Sequence, residues 1–383
     1  MKTKKWIALV LSALLLCGVA ATAIAGTPAE DAHLSFREDG SFTILNFSDI
    51  QDDAVLSPLA KAFFRRAVKT VKPDLIVLTG DNIAGYSAKT KTLAFAAIRQ
   101  YMDIFEQLRV PVAMVYGNHD DDDTKATKED EMKIYAQYKV NLAYDEGDAL
   151  YGCGTYNVPI YASANEDLVK FNLYMIDSGS YDLERGGYDY VHEDQIQWYK
   201  DTSARLAAEN GGLVPSIAFQ HIVVPEIYDA LEKTDEVTNA SRGGQYYTLP
   251  ATAAEGSILG ESPCPGTYNA GEFTAFKEGG DVLAVVCGHD HVNSFVIPYE
   301  GIDLINTPTC GFSSYGNSET RGARVIRLNE NDPTSYETET ILFTELMKDD
   351  APAMFMAKLR DFFEKVGDFF ENIGDSIKNL FQK

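Results

Sequence analysis

Short, mostly apolar runs that end in glycine and polar residues recur along much of the chain. Such runs are typical of buried β-strands. Six of them are predicted as strands, at 42–47, 74–79, 112–116, 169–176, 215–219 and 282–287. Between them, apolar residues at three- and four-residue spacing predict amphipathic helices near 57–71, 91–108 and 193–208. Strands that alternate with helices predict an α/β fold.

The last third of the chain changes character twice. Residues 235–268 are rich in Gly, Ser, Thr and Tyr without periodicity, and we predict a long loop or cap there. Further strands are predicted at 302–306, 323–328 and 340–343. From Met354 to Leu380, apolar residues recur every three or four positions, which predicts a C-terminal amphipathic helix. We expect it to contact its own domain, another copy of the chain or a membrane surface.

The N-terminus has the pattern of an export signal. Three lysines precede the apolar stretch 6–23, which ends in the small-residue motif Ala23-Ile24-Ala25. An uncleaved membrane anchor is the alternative interpretation. We predict a signal peptide at 1–25, a main domain at 26–350 and the C-terminal helix at 351–383. The protein is then expected to be secreted or held at the cell surface.

The chain is strongly acidic, with a formal net charge of −24. Residues 1–25 contain three lysines and no acidic residue, so removing them changes −24 to −27. Such a surface repels polyanions, and no nucleic-acid polymer is expected as a partner. Four cysteines follow the leader and fit no zinc–cysteine motif; two disulfides with three possible pairings are open to them. They are Cys153, Cys264, Cys287 and Cys310.

Polar residues that directly follow the predicted strands form the candidate site. They are Asp49, Gln51, Asp81, Asn118, His119, His221, His289 and His291. Carboxylate, amide and imidazole groups together suit hard or borderline divalent metals. Two such metals ~3.5–4 Å apart can clamp a phosphoryl group and acidify a water molecule. Asp81 follows a glycine on a central strand and is the expected ligand shared by both metals.

Five motifs in order resemble those of the calcineurin-like metallophosphoesterases. They are Asp49-x-Gln51, Gly80-Asp81-Asn82, Gly117-Asn118-His119-Asp120, His221 and Gly288-His289-x-His291. The resemblance covers about residues 40–330 and is closest to the compact purple-acid-phosphatase-like branch. It implies a four-layer α-β-β-α sandwich with two mixed sheets and the site at the strand ends. The C-terminal amphipathic helix would be an addition to that sandwich.

The same resemblance implies a role for each matched residue. Those implied for the first metal are Asp49, Asp81, His291 and, in the place of a further ligand, Gln51. Those implied for the second metal are Asp81, Asn118, His221 and His289. His119 would contact the phosphate or protonate the leaving oxygen, and Asp120 would orient its imidazole. The implied cofactors are two divalent or mixed-valence ions of the Mn, Fe or Zn class.

The chain departs from the family pattern at two positions. Gln51 stands where the family usually has histidine, and an amide oxygen suits borderline metals less well than imidazole does. Ala84 stands where true purple acid phosphatases have a metal-binding tyrosine, so the purple chromophore is not expected. Three further features of the sequence are expected to lie outside the site. They are Asp121-Asp122-Asp123 as a solvated loop, Tyr86 packed in a loop, and Arg321 in a surface salt bridge.

The resemblance implies a secreted binuclear phosphomonoesterase, in which a metal-bridging hydroxide attacks phosphorus in line with the leaving group. Its substrate would be a small phosphorylated molecule. A phosphodiesterase of nucleotide or phospholipid-headgroup diesters fits the same motifs, because selectivity resides in the cap loops. A third hypothesis is a catalytically weak protein that binds a phosphorylated ligand or a surface partner, and Gln51 is its support.

Overall fold

Two mixed β-sheets form the frame of the molecule in the computed structural model, which describes residues 33–147, 149–363 and 366. The strands are β1 (Ser41–Phe47), β2 (Leu75–Thr79), β3 (Val112–Val115), β4 (Tyr156–Ala162), β5 (Asn165–Met175), β6 (Ser216–Phe219), β7 (Glu232–Thr234), β8 (Ala240–Arg242), β9 (Gln245–Thr248), β10 (Val282–Cys287), β11 (Phe295–Tyr299), β12 (Ile302–Asn306), β13 (Gly322–Asn329) and β14 (Tyr336–Leu342). The helices are α1 (Pro58–Val71), α2 (Lys91–Leu108), α3 (Lys128–Tyr135), α4 (Glu193–Asn210), α5 (Ile227–Ala230), α6 (Glu272–Gly279) and α7 (Phe343–Leu346), followed by α8 over 351–363.

Each of the two large sheets combines parallel and antiparallel neighbours. The first has the order β14-β13-β1-β2-β3, in which β1, β2 and β3 run parallel. The second has the order β11-β12-β10-β6-β5-β4, in which β12, β10, β6 and β5 run parallel. Parallel neighbours end at the same edge of a sheet. The polar residues that follow β1, β2 and β3, and those that follow β6 and β10, are therefore collected at two edges.

Helices cover the outer face of each sheet. On the first sheet, the Phe47 ring of β1 lies 4.9 Å from the Phe64 ring of α1 and 6.0 Å from the Phe105 ring of α2. On the second sheet, the Tyr174 ring of β5 lies 5.0 Å from the Tyr199 ring of α4. These aromatic contacts bury large apolar areas and hold the helices against the strands.

The alternation of side chains along β10 shows that the sheets pack face to face. Ala284 and Val286 belong to the core shared with the first sheet, whereas Val285 and Cys287 belong to the core under α4 and α6. Successive residues of a strand point to opposite faces, so both faces of this sheet are buried. The order of layers is helix, sheet, sheet, helix, which confirms the predicted four-layer α-β-β-α sandwich with two mixed sheets.

Several elements differ from the sequence prediction. The region 235–268 contains β8 and β9, which form a small three-stranded sheet with β7, rather than loop alone. Edge strands β4 and β11 were not predicted, because each contains a proline (Pro159 and Pro298), and proline is tolerated only at sheet edges. Within the described residues Cys153, Cys264, Cys287 and Cys310 are all free thiols, so neither of the two disulfides left open by the sequence is formed.

The C-terminal helix is described only in its first part. Over 351–363, Ala353 and Ala357 are buried in the main core, whereas Phe355, Phe362 and Phe363 are exposed. The rest of the helix predicted at 354–380 and the whole predicted signal peptide lie outside the described residues, apart from residue 366. Among the residues that the structure describes, no helix has the length and apolar character that a membrane span requires.

Candidate metal centre

The strand-end residues named from the sequence meet where the two sheet edges face each other. Asp49, Asp81 and Asn118 follow β1, β2 and β3 of the first sheet, and His221, His289 and His291 follow β6 and β10 of the second. Direct contacts join the two edges. The backbone N–H of His289 donates to Asp49 Oδ2 at 3.1 Å, and His221 Nε2 lies 3.3 Å from Asp81 Oδ1. All six residues are buried.

Two groups of potential metal ligands share one carboxylate. The first consists of Asp49, Asp81 and His291, and the second of Asp81, His221 and His289. Within each group the ligand atoms all lie within 4.8 Å of one another. Such clusters of oxygen and imidazole nitrogen are typical sites for Zn, Mn or Fe ions. Asp81 occupies the position expected for a ligand common to two ions.

Backbone carbonyls fix the orientation of two of the imidazoles. His221 Nδ1 lies 2.8 Å from the carbonyl oxygen of Thr79, and His291 Nδ1 lies 2.9 Å from that of Tyr315. A carbonyl oxygen can only accept, so each Nδ1 carries the proton that is donated. Each Nε2 therefore faces the carboxylates, with His291 Nε2 3.3 Å from Asp49 Oδ1. This arrangement presents a nitrogen lone pair to a metal when the imidazole is neutral.

Several buried polar atoms at the centre lack hydrogen bonds. Among residues 33–147, 149–363 and 366, neither Gln51 Oε1 nor His289 Nε2 has a hydrogen-bond partner. A buried polar atom without a partner costs about 1–3 kcal/mol. Both residues stand at positions implied as metal ligands, and a bound cation would satisfy both atoms. The donor set of this site therefore fits divalent metal ions.

Gln51→His is expected to strengthen binding of the first ion. Gln51 is buried, and its backbone N–H donates to the Asp81 carbonyl at 2.8 Å, which places the residue beside the Asp49–Asp81–His291 group. Imidazole is a better ligand than an amide oxygen for Zn or Fe, so the dissociation constant of the first ion should fall about tenfold. Titration of the metal-free protein with Zn(II) measures it, with Gln51→Ala as the control. Unchanged affinity in both variants would show that this side chain does not face the ion.

The ionisation of the centre without metal is set by burial and by the mutual charges of its residues. Burial would raise the pKa of Asp81, but the charge of His221 holds it well below its usual value. Burial would lower the pKa of His221, but Asp81 raises it to about 10. Burial and the His221 charge lower the pKa of His289 to about 3. In the metal-free protein His221 thus carries a proton on both ring nitrogens, and a binding cation must displace the proton on Nε2. Metal affinity is therefore expected to fall as the pH falls.

The backbone at the centre adopts conformations that are uncommon for residues with side chains. Asp49, Gln51, Asp81 and His289 have φ values of 52°, 36°, 48° and 72°. Positive φ in non-glycine residues costs free energy and is concentrated at functional sites. Gly117 serves the same packing, since a Cβ atom there would collide with the backbone nitrogen and carboxylate of Asp81. The fold therefore accepts local strain to bring these ligands together.

The structure assigns the partner of His119 differently from the sequence prediction. His119 Nδ1 lies 3.0 Å from Asp122 Oδ2, within the segment expected to be a solvated loop. Asp120 instead accepts the backbone N–H groups of Gly117, Asn82 and Ile83 at 2.7–3.0 Å. Burial and the charge of Asp81 raise the pKa of Asp120 to about 8. Asp120 thus joins the loops after β2 and β3, and Asp122 orients the imidazole. The three-residue spacing between His119 and Asp122 in a turn was the sequence signal for their contact.

Four tyrosines that were not predicted as site residues contact the centre. Tyr315 stacks on His291 with ring centroids 4.0 Å apart, and Tyr188 meets the His289 ring edge-on at 4.3 Å. The Asn118 amide donates to the Tyr181 hydroxyl at 3.1 Å, which turns Asn118 Oδ1 towards His221 Nε2 at 3.2 Å. Tyr86, expected to pack in a loop, meets the His119 ring at 5.2 Å. These tyrosines lie on three loops, because Tyr181 and Tyr188 share the loop between β5 and α4, and no sequence motif links them.

Arg321 also differs from its prediction. It is buried rather than in a surface salt bridge, and its guanidinium donates to the carbonyl oxygens of Gly311 and Ser314. It therefore braces the loop that carries Tyr315.

Comparison with known proteins places the chain in a family. The family model for calcineurin-like phosphoesterases matches residues 42–293. "Probable inactive purple acid phosphatase 29" of Arabidopsis thaliana is 30% identical over 350 residues, covering 82% of this chain and 84% of the relative. "Probable inactive purple acid phosphatase 14" of the same plant is 30% identical over 336 residues, covering 78% and 77%. "Phosphatase DCR2" of Saccharomyces cerevisiae is 26% identical over 288 residues, covering 69% and 46%. The chain belongs to the calcineurin-like phosphoesterase family.

Proposed function

We propose that the protein is an exported phosphomonoesterase that depends on two divalent metal ions of the Mn, Fe or Zn class. The observation that carries this proposal is the pair of ligand groups that share Asp81. Metal-dependent phosphoester hydrolysis is the chemistry of the family, and a shared carboxylate is what a two-ion site requires. Export rests on the pattern of residues 1–25, and N-terminal sequencing of protein from the culture medium checks it.

The chain's own residues divide the work of such a reaction. When bound, two divalent ions polarise the phosphoryl oxygens and acidify a water molecule. His119 transfers a proton to the leaving oxygen. Its Nδ1 is held by Asp122, and its Nε2 makes no hydrogen bond within the described residues. The backbone N–H of His119 donates to Asp81 Oδ1 at 2.8 Å, so the acid is fixed relative to the shared ligand. This coupling favours protonation of a leaving group close to the ions.

The proposed substrate is a small phosphate monoester. With a formal net charge of −24, the chain repels extended polyanions, so a nucleic-acid polymer is not proposed as a partner. Partly exposed aromatic rings at the centre, among them Tyr181 and Tyr315, provide contact for a compact leaving group. Diesters of nucleotides or phospholipid headgroups are the alternative substrates within this chemistry.

A comparison of ester types tests the proposal. The protein from Gly26 onward is reconstituted separately with Mn(II), Zn(II) and Fe(II), and hydrolysis of an aryl phosphate monoester is measured beside its diester. His221→Ala is the matched control, because His221 belongs to one ligand group. Monoester turnover that exceeds diester turnover and disappears in the control supports the proposal. Faster diester turnover would replace the monoesterase with a phosphodiesterase.

A second candidate function is a protein that binds a phosphorylated ligand or a surface partner with little turnover. Two observations favour it: Gln51 stands where the family usually has histidine, and both Arabidopsis thaliana relatives described above carry the words "probable inactive" in their names. The remaining Asp and His ligands are complete and buried, which favours catalysis. No hydrolysis of either ester with any of the three metals, together with tight binding of inorganic phosphate, would support this second function.

A further inference from the structure

The loop at 311–318 connects the metal centre to the C-terminal part of the chain. It lies between β12 and β13 and contains neither helix nor strand. Its Tyr315 accepts a hydrogen bond from His291 Nδ1 through the backbone carbonyl, and its ring lies parallel to the imidazole within 5°. Tyr315 therefore sets both the ring plane and the protonated nitrogen of a residue in the Asp49–Asp81–His291 group.

Two arginines hold this loop, and their donors converge on one carbonyl. Arg321 Nη2 donates to the Ser314 carbonyl at 3.0 Å, and Arg360 Nη2 donates to the same oxygen. Arg360 Nε also donates to the Phe312 carbonyl. The Arg360 side chain thus fastens the backbone on both sides of residue 313, directly before Tyr315. Charged donors make stronger hydrogen bonds to carbonyls than neutral ones do.

Arg360 reaches the loop because helix α8 is packed on the core. Ala353 and Ala357 are buried, and residues 353, 357 and 360 follow one another at helical spacing, so they share one face. The neighbouring Asp361 accepts the Ser318 N–H through Oδ2 at 3.3 Å. Helix α8 therefore contacts the loop at three backbone positions, while its other face exposes Phe355 and Phe362.

We propose that Arg360 is a positioning residue for the first metal site, and that helix α8 acts through it as a clamp on the 311–318 loop. Arg360 fixes the loop, the loop fixes the Tyr315 carbonyl and ring, and these hold His291 in the orientation that binds an ion. The proposal rests on the proposed function only in that it assumes metal binding. His221 contacts Thr79 and Asn118, and His289 contacts Tyr188, rather than this loop, so the second ion should be unaffected.

The test compares Arg360→Ala, Arg360→Lys and Lys358→Ala in the protein from Gly26 onward. Lysine keeps the charge but lacks the fork that spans two carbonyls, and Lys358 is an exposed control on the same helix. Mn(II) titration of the metal-free protein is expected to show one ion bound ~10–100-fold more weakly in Arg360→Ala, with the other unchanged and Arg360→Lys intermediate. Lys358→Ala should match the unsubstituted protein.

Hydrogen exchange of the metal-free protein provides a readout that needs no turnover. Amides of 312–318 should exchange ~10-fold faster or more in Arg360→Ala, with the β1 and β2 amides unchanged, which also shows that the variant is folded. Unchanged exchange in the loop, or equal weakening of both ions, would overturn the proposal. If the protein hydrolyses no ester but Arg360→Ala still releases the loop and one ion, the clamp stands and the proposed catalysis fails.

Discussion

Asp81→Asn is expected to abolish hydrolysis and to remove both metal ions together. Asp81 is the one residue common to both ligand groups, and the substitution keeps its shape while removing its charge. The amide retains an oxygen that can accept the His119 N–H, so the loop after β3 should stay in place. Because bound ions contribute several kcal/mol to the transition state, kcat/KM should fall by ~10³-fold or more.

Metal content and kcat/KM, measured on the same preparation, check this prediction. Asp103→Asn is the matched control, since Asp103 is an exposed residue of α2 whose carboxylate accepts the Tyr138 hydroxyl outside the site. It should keep both ions and full activity. An Asp81→Asn protein that retains two ions and hydrolyses within about tenfold of the unsubstituted protein would contradict a shared carboxylate.

His119→Ala is expected to slow the reaction without loss of metal. His119 belongs to neither ligand group, and the backbone N–H that holds Asp81 remains in the variant. General acid catalysis typically contributes 10²–10⁴-fold, so hydrolysis of an alkyl phosphate should fall by about that factor. An aryl phosphate should be affected less, because its leaving oxygen needs less protonation. The ratio of the two rates is the measurement.

Asp122→Asn separates orientation of the imidazole from proton transfer itself. Its amide oxygen still accepts from His119 Nδ1, but the negative charge that supports an imidazolium is lost. A loss of ~10-fold is expected, smaller than that of His119→Ala. Equal effects of His119→Ala on alkyl and aryl esters would contradict the role of His119 as the acid.

Burial determines which strands are visible in the sequence. The central strands β2 and β10 are buried on both faces, and such strands require continuous apolar runs that can be recognised without a structure. Edge strands β4 and β11 contain Pro159 and Pro298, and their place is fixed by partners distant in sequence. The small sheet of β7, β8 and β9 is equally hidden, because its strands have three or four residues each.

The same distinction applies to the site. The predicted ligands were identifiable because parallel strands end together, so the residue directly after each strand is placed by the fold itself. Asp122, Tyr315 and Arg360 depend instead on the paths of loops and on a helix that follows the sandwich. Asp120 shows the limit of reading adjacent residues as partners: in a turn, the carboxylate three residues after His119 reaches its ring, and the adjacent one points to backbone N–H groups.

The first metal site is the decisive part of this centre. Gln51 is the departure from the family pattern at that site, and its Oε1 is buried without a hydrogen-bond partner among the described residues. A weak first site would give a protein that holds one ion tightly and turns over only at high metal concentration. The expected gain in Gln51→His and the expected loss in Arg360→Ala therefore act on the same ion in opposite directions.

A metal titration followed by hydrolysis tests the central claim most directly. Metal-free protein from Gly26 onward is titrated with Mn(II) while bound metal and hydrolysis of an aryl phosphate monoester are measured in the same sample. The two ligand groups predict two ions per chain, with turnover that appears as the second ion binds. Two bound ions without turnover of monoester or diester would contradict catalysis, and saturation at a single ion with full turnover would contradict the binuclear centre.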